Sequence, residues 1–388
     1  MKALRKYLDK IKPQFSEGGK FSKLHSTFGA FETFLFVPDK VTYKGAHIRD
    51  SIDLKRTMSI VVIALIPALI FGMWNVGRQY YVSIGESTDI IKNLWFGFLK
   101  VMPIVIVSYV TGLTVEFIFA QIRKHEVNEG FLVTGMLIPL VMPVNIPLWM
   151  VVVATAFAVV FGKEVFGGTG MNIFNPALLT RAFIFFAYPS VISGDSVWTY
   201  GLTSTSKVVD GFSGATPMAN AASYAIDKIP DNFTLFLGNI PGSIGETSKL
   251  AILIGASILL ITGIANWRVM FSVIIGGVGM TLIFNVFGAN PYMQISPLTQ
   301  ILMGGFMFGA VFMATDPVTA SQTHTGQYIY GLLIGMFAIL IRVLNPAYPE
   351  GMMLSILLMN AFAPLIDHYV IESNIKRRLK RATINSKS

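Results

Sequence analysis

Ionisable side chains stand inside or at the ends of stretches that are otherwise oily. Glu116, Glu129, Lys163, Glu164, Arg181, Asp316, Arg342 and Asp367 all do so. A charge at the centre of a membrane helix costs about 2.5–3.5 kcal/mol on insertion scales, so each needs a partner or a task. One task is an acid-lined path for a cation or a proton. The plainer arrangement is a structural ion pair, with an arginine tied to one of the acids, and the residues leave both open. A second group is polar: "GGTGMNIFNPA" sets Thr169, Asn172 and Asn175 beside a helix start. It offers amide and hydroxyl groups plus free N–H groups, which could line a ligand pocket or a pore constriction. It is no phosphate loop, because strand, Lys-Ser/Thr ending and βαβ context are missing. The third is "VVDGFSGATPMANA", residues 208–221. Gly211 and Gly214 can supply turn freedom, and Asp210 or Ser213 can bond nearby backbone. A residue before proline is biased to extended backbone, which would hold the Thr216 side chain outward.

What the chain lacks narrows the chemistry. It has no cysteine, so disulfides, thiolate zinc and cysteine-ligated iron–sulfur clusters are excluded. Five histidines, His25, His47, His125, His324 and His368, are scattered and suggest no haem or metal cluster. A redox role would need an organic cofactor or a partner's metal.

The elements that must position these groups are membrane helices. The chain is 53% hydrophobic and 13% charged, with mean hydropathy +0.61. Soluble domains carry about 25% charged residues. Runs such as "FLKVMPIVIVSYVTGLTVEFIFA" reach the ~20 apolar residues that cross a bilayer, and they are continuous rather than alternating, which excludes a β-barrel. Ten spans are expected, near 57–77, 94–120, 130–146, 147–165, 174–190, 249–266, 269–288, 297–315, 327–345 and 351–370. This is an all-α polytopic membrane protein. The opening "MKALRKYLDKIK" is basic and amphipathic, unlike a signal peptide.

Residues 1–56 hold 12 Lys/Arg against 6 Asp/Glu, and residues 371–388 hold 6 against 1. The net charge of +9 therefore sits at the two ends and flanks membrane spans; it is no nucleic-acid signal. The 191–248 segment has two lysines against five acids. The positive-inside rule places both termini in the cytoplasm and the Thr216 segment outside. The expected organisation is a cytoplasmic arm (1–56), a first five-helix unit (57–190), an outer loop (191–248), a second five-helix unit (249–370) and a basic tail (371–388). The strings "PLWMVVVATAFAVVFGKEVFGGTGMNIFNPA" and "PLTQILMGGFMFGAVFMATDPVTA" both run from Pro-Leu through small residues to an Asn/Asp-Pro turn. Such an echo is what an internal repeat with interrupted helices would leave.

Asp210-Gly211-Phe212-Ser213-Gly214-Ala215-Thr216 resembles the signal at which a flavin transferase joins FMN to threonine through a phosphoester. "HEVNEGF", "KEVFGGTGMNIFNPAL", "GNIPGSIGE", "FMATDPV", "IRVLNPAYPEGMML" and "NIKRRL" agree. Together they resemble the B-subunit family of sodium-translocating NADH:quinone oxidoreductases over nearly the whole chain. The D-subunit family of the Rnf ferredoxin:NAD oxidoreductases is a relative that typically lacks the long arm. The resemblance implies covalent FMN on Thr216 and a non-covalent riboflavin. It implies ten helices in two five-helix inverted repeats, similar to urea transporters, in a bacterial inner membrane. It implies a six-subunit complex with an NADH-oxidising flavin/iron–sulfur subunit, a second FMN subunit and small membrane subunits. Quinone is then the electron acceptor, and Glu129, Asp316 and Asp367 match acids tied to sodium uptake. Thr169, Asn172 and Asn175 are the candidates for the riboflavin or a pore. An Rnf-type subunit and a non-redox, urea-transporter-like channel are the competing expectations.

Overall fold

The computed structural model describes residues 2–15, 19–21, 28–29, 32, 36, 44–46, 53–86, 89–123, 129–192, 194–202, 208–209, 212–345 and 350–385. Among these residues all regular secondary structure is helical, with no strands. Helix α1 (Lys2–Phe15) belongs to the arm. Helix α2 (Leu54–Ser83) starts where Asp53 accepts a hydrogen bond from the Arg56 N–H at 2.9 Å, satisfying one of the helix's orphan donors. Helix α3 (Ile90–Arg123) returns against it. The two backbones touch because of Gly77 and Gly97. A Cβ on Gly77 would strike the Asn93 carbonyl, and one on Gly97 would strike that of Met73. Close approach at small residues is how helices associate in lipid, where apolar side chains gain little by leaving it.

Helix α4 (Phe131–Leu140) ends after 10 residues. Helix α5 (Leu148–Val159) runs into a π-helical turn at Val160–Glu164. Helix α6 (Pro176–Ala187) opens at Asn175, whose Oδ1 accepts from the Ala177 and Leu178 N–H groups at 3.0 and 3.3 Å. Pro176 takes the first helical position, where a missing N–H costs nothing. The short α7 (Pro189–Ile192) follows.

The segment expected as an outer loop is a folded cap. It contains α8 (Pro217–Ala222) and α9 (Asn232–Leu237), and it buries Met218, Leu235, Ile240 and Ile244. Asn75 of α2 donates to the Ile240 carbonyl at 2.9 Å. The Gly245 and Ile244 N–H groups donate to the Leu140 and Met142 carbonyls at 2.7 and 3.3 Å. The cap thus satisfies the exposed end of α4, as backbone at membrane depth requires.

The second half holds α10 (Lys249–Ile261), α11 (Trp267–Phe287), α12 (Pro297–Leu302), α13 (Phe306–Phe308), a second π-helical turn at Gly309–Met313, α14 (His324–Leu344) and α15 (Met352–Asn385). Among the described residues, five helices are long and apolar enough to cross a membrane: Leu54–Ser83, Ile90–Arg123, Trp267–Phe287, His324–Leu344 and Met352–Arg381. The other expected spans are shorter or interrupted. Residues 297–315 break at Met303, which is extended, and Gly304, which has φ +58°. Side chains of the site described next take up the carbonyls freed at these breaks.

Candidate functional site

Thr216 adopts φ −75° and ψ 156°, the extended backbone that the following proline favours. Its Oγ1 accepts from the Ala219 N–H at 3.1 Å and caps α8. The side chain is half-buried and lines a cavity of about 390 Å³, so it does not point outward as the sequence suggested. That volume lies in the ~300–1,000 Å³ range of small-molecule sites. Ser213 is exposed, and its Oγ accepts from the Ala215 N–H at 3.2 Å. Gly214 is buried and not in the positive-φ region. It is required for space rather than for a turn, because a Cβ there would strike the Asp195 carbonyl. Asp210 and Gly211 lie outside the described residues.

The cavity has two characters. Phe185, Trp198 and Met218 give it apolar walls. Its inner end is charged. Arg181, on α6, donates to the Val141 carbonyl, to Glu350 and, at 3.1 Å, to Ser243 Oγ, and it lies 3.6 Å from Glu246. Lys249 Nζ donates to the carbonyls of Glu246, Thr247 and Gly304 at 2.7, 3.1 and 3.0 Å. Behind it, Arg342 is fully buried and donates to the Gln300 and Met303 carbonyls at 2.6 and 3.3 Å. Val141 caps α4 and Met303 caps α12, so each arginine sits on the negative end of a stopped helix. Thr247 Oγ1, on the same wall, is buried with no protein partner. Burial lifts the Glu350 carboxyl to about 7, while Arg181 draws it down.

A second cavity, of about 110 Å³, brings together Thr169, Asn172, Asn175 and Asp316, with Lys163 beside them. At about 30 Å³ per water, it holds three or four waters or a partly hydrated ion. Asp316 accepts from Asn175 Nδ2 at 3.2 Å, Thr319 Oγ1 at 3.1 Å and the Val318 N–H at 3.0 Å. Asn172 Nδ2 donates to the Phe174 carbonyl at 3.2 Å. Glu129 pairs with Lys55 at 3.4 Å, and its neighbour Gly130 lines the cavity. Asp367 is elsewhere. It accepts from Ser321 Oγ and Thr323 Oγ1 at 2.6 Å each, and from the Gln322 and Thr323 N–H groups at 2.7 and 2.9 Å. The three acids are therefore not gathered in one site.

Several other charges are paired. Lys163 bonds Glu116, and Arg123 lies 3.4 Å from Glu164, so both pairs tie α3 to the π-helical turn. Ser243, Thr247, Lys249, Trp198 and Glu350 escaped the sequence reading. One signal was present: Lys249 opens a helix whose next twelve residues carry no charge.

The model of a family described as "NQR2, RnfD, RnfE family" matches residues 41–376. Over 407 residues the chain is 47% identical to the B subunit of the Na(+)-translocating NADH-quinone reductase of Ectopseudomonas mendocina, covering 97% of this chain and 99% of that one. The protein of the same name from Pseudomonas aeruginosa is 46% identical over 407 residues, with the same coverage. That from Chromohalobacter salexigens is 45% identical over 404 residues, covering 97% of this chain and 96% of its own. Matched from the arm to the basic tail, the chain belongs to the NQR2, RnfD, RnfE family.

Proposed function

We propose that the chain is the flavin-bearing membrane subunit, the B subunit, of a sodium-translocating NADH:quinone reductase in a bacterial inner membrane. One observation carries the reading: the threonine of the Asp-Gly-Phe-Ser-Gly-Ala-Thr string lines a ligand-sized cavity with a cationic inner end. FMN, held on Thr216 by a phosphoester, supplies reversible electron acceptance. The residues suit it. Trp198, Phe185 and Met218 offer apolar surface for a flat ring, and the orphaned Thr247 Oγ1 lacks a hydrogen-bond partner that a ring carbonyl or N–H would provide. Arg181 would hold a fixed positive charge at the inner end, where it would favour the arrival of negative charge without reorganisation. A covalent tether would keep the local concentration high.

In this reading electrons come from NADH through partner flavin and iron–sulfur subunits, pass a second FMN subunit and end on quinone. The full complex has six subunits, including small membrane subunits. Sodium is the cargo. Of Glu129, Asp316 and Asp367, Asp316 is the acid on the wall of the smaller cavity, with Asn175 beside it. Riboflavin is another matter. Thr169, Asn172 and Asn175 supply suitable polar groups, but about 110 Å³ is less than a three-ring heterocycle needs, so no step is assigned to it there. The topology is two inverted five-helix repeats, urea-transporter-like, with both termini cytoplasmic and Thr216 periplasmic. The paired π-helical turns, each followed by an Asn/Asp-Pro step at Asn175-Pro176 and Asp316-Pro317, support the repeat.

The test is mass spectrometry of the Asp210–Lys228 peptide from the complex made with an active flavin transferase. FMN mass is expected on Thr216 and none in Thr216→Ala. An unmodified Thr216 overturns the proposal and promotes a non-redox channel.

A further inference from the structure

We propose that the Lys55 ammonium is a tethered stand-in for the transported cation: it holds Glu129 until an entering sodium ion takes its place. The inference rests on the reading of sodium as the cargo. Lys55 is the second residue of α2, and Glu129 stands two residues before α4. Both segments run straight into the wall of the smaller cavity. Thr57 and Met58 follow Lys55, Gly130 follows Glu129, and all three line that cavity together with Asp316. Gly130 also packs on the polar strip, since a Cβ there would lie 2.6 Å from the Thr169 methyl carbon. The ion pair therefore stands at the edge of the cavity, where α2 and α4 begin.

The geometry makes this pair exchangeable rather than a fixed tie. Lys55 Nζ lies 3.4 Å from Glu129 Oε1, yet it is enclosed and, among the described residues, has no hydrogen-bond partner. An ammonium carries three donors, and leaving them unmet in an enclosed place costs free energy. Lys163, on the wall of the same cavity, is different: it donates a hydrogen bond to Glu116. The side chains of Lys55 and Glu129 are 21% and 18% exposed, against 4% for each member of the Lys163–Glu116 pair. Lys55 can thus swing its flexible stem so that the ammonium reaches water, where its donors are met.

Charge decides that this is an exchange and not an addition. One ammonium and one carboxylate sum to zero, and an alkali cation in place of the ammonium keeps that sum. Both cations on Glu129 would leave a partly desolvated site net positive. The other charged groups here are already engaged. Lys163 bonds Glu116, Asp53 caps α2, and Asp316 accepts from Asn175, Thr319 and the Val318 N–H. Lys55 is then a competitor of sodium at Glu129, and it raises the sodium concentration at which the site fills.

The experiment uses the whole purified complex, with NADH:quinone turnover measured against sodium chloride and choline chloride keeping the ionic strength constant. Lys55→Met removes the competitor, so the sodium concentration for half-maximal turnover should fall, by up to about fivefold for a partly exposed pair. Lys55→Arg should raise it, because a guanidinium can grip a carboxylate through two hydrogen bonds. A tether that only joins α2 to the start of α4 would not move the two variants in opposite directions. In a Glu129→Gln background, Lys55→Met should bring no further fall, since competitor and carboxylate act as one pair. An unchanged or higher sodium requirement in Lys55→Met overturns the inference, and so does an unchanged or lower one in Lys55→Arg. Where Lys55→Met fails to assemble, Lys55→Arg alone decides. Wild-type turnover that ignores sodium overturns the reading of sodium as cargo, and the inference with it.

Discussion

At the scale of single residues, Thr216 caps α8 and is the residue proposed to carry FMN, and substitutions separate the two. Thr216→Ser keeps both the cap on α8 and a hydroxyl for the phosphoester, so in-gel flavin fluorescence should persist. Thr216→Ala should abolish fluorescence and cost about 1 kcal/mol of local stability through the lost cap, read as faster hydrogen exchange across Pro217–Ala222. Arg181→Met strips the partner from Glu350 and Glu246. Breaking a buried pair costs about 3–5 kcal/mol, so the complex should melt earlier and be recovered in lower yield. The role proposed for Thr216 comes from the sequence because its signal is seven contiguous residues. The Arg181–Glu350 bond was not, because its partners are 169 positions apart and nothing local ties them. For the intramembrane charges, the sequence allowed both an ion path and structural pairing. Lys163, Glu116, Arg123 and Glu164 turn out to be paired, and Arg342 donates from Nη1 and Nη2 to carbonyls rather than to an acid.

At the scale of elements, the π-helical turn Val160–Glu164 is held to α3 by Lys163–Glu116 and Arg123–Glu164. Lys163→Met alone should destabilise by about 3–5 kcal/mol, since it takes the Lys163 ammonium away from a buried Glu116 carboxylate. Lys163→Met with Glu116→Leu should recover most of the loss, because well-packed apolar side chains replace such pairs at little cost. Thermal unfolding of the purified complex distinguishes a tether that matters for its charge from one that only fills space. A close backbone contact predicts differently: Gly97→Val must push α2 from α3, and overpacking costs about 1–3 kcal/mol. Hydropathy found every apolar stretch but overestimated continuity. Glycine and proline are common in membrane helices, so their presence in 130–146 and 297–315 gave no warning of where the helices stop. The cap was read as a loop because its buried residues, Met218, Leu235, Ile240 and Ile244, are too far apart to register as a span.

At the scale of the whole molecule, the absence of cysteine makes sidedness directly measurable, since any engineered thiol is the sole one in the chain. Lys228→Cys and Ser373→Cys place thiols at exposed positions in the cap and on the last helix. A membrane-impermeant maleimide added to intact cells should label the first and spare the second. The reverse pattern would invert the topology and put Thr216 on the cytoplasmic side. The same long-range bond that escaped the sequence also sets a problem of timing during synthesis. Arg181 reaches the bilayer with α6, but Glu350 has not yet been made. At ~5–20 residues per second, a separation of 169 residues leaves that guanidinium without its final partner for about 8–34 s. The first half of the chain cannot finish folding on its own. It has to wait, with a charge held by the Val141 carbonyl and then by Ser243 and Glu246, until the start of α15 emerges. Truncation anywhere before Glu350 should therefore yield a fragment marked for degradation rather than a stable half-protein.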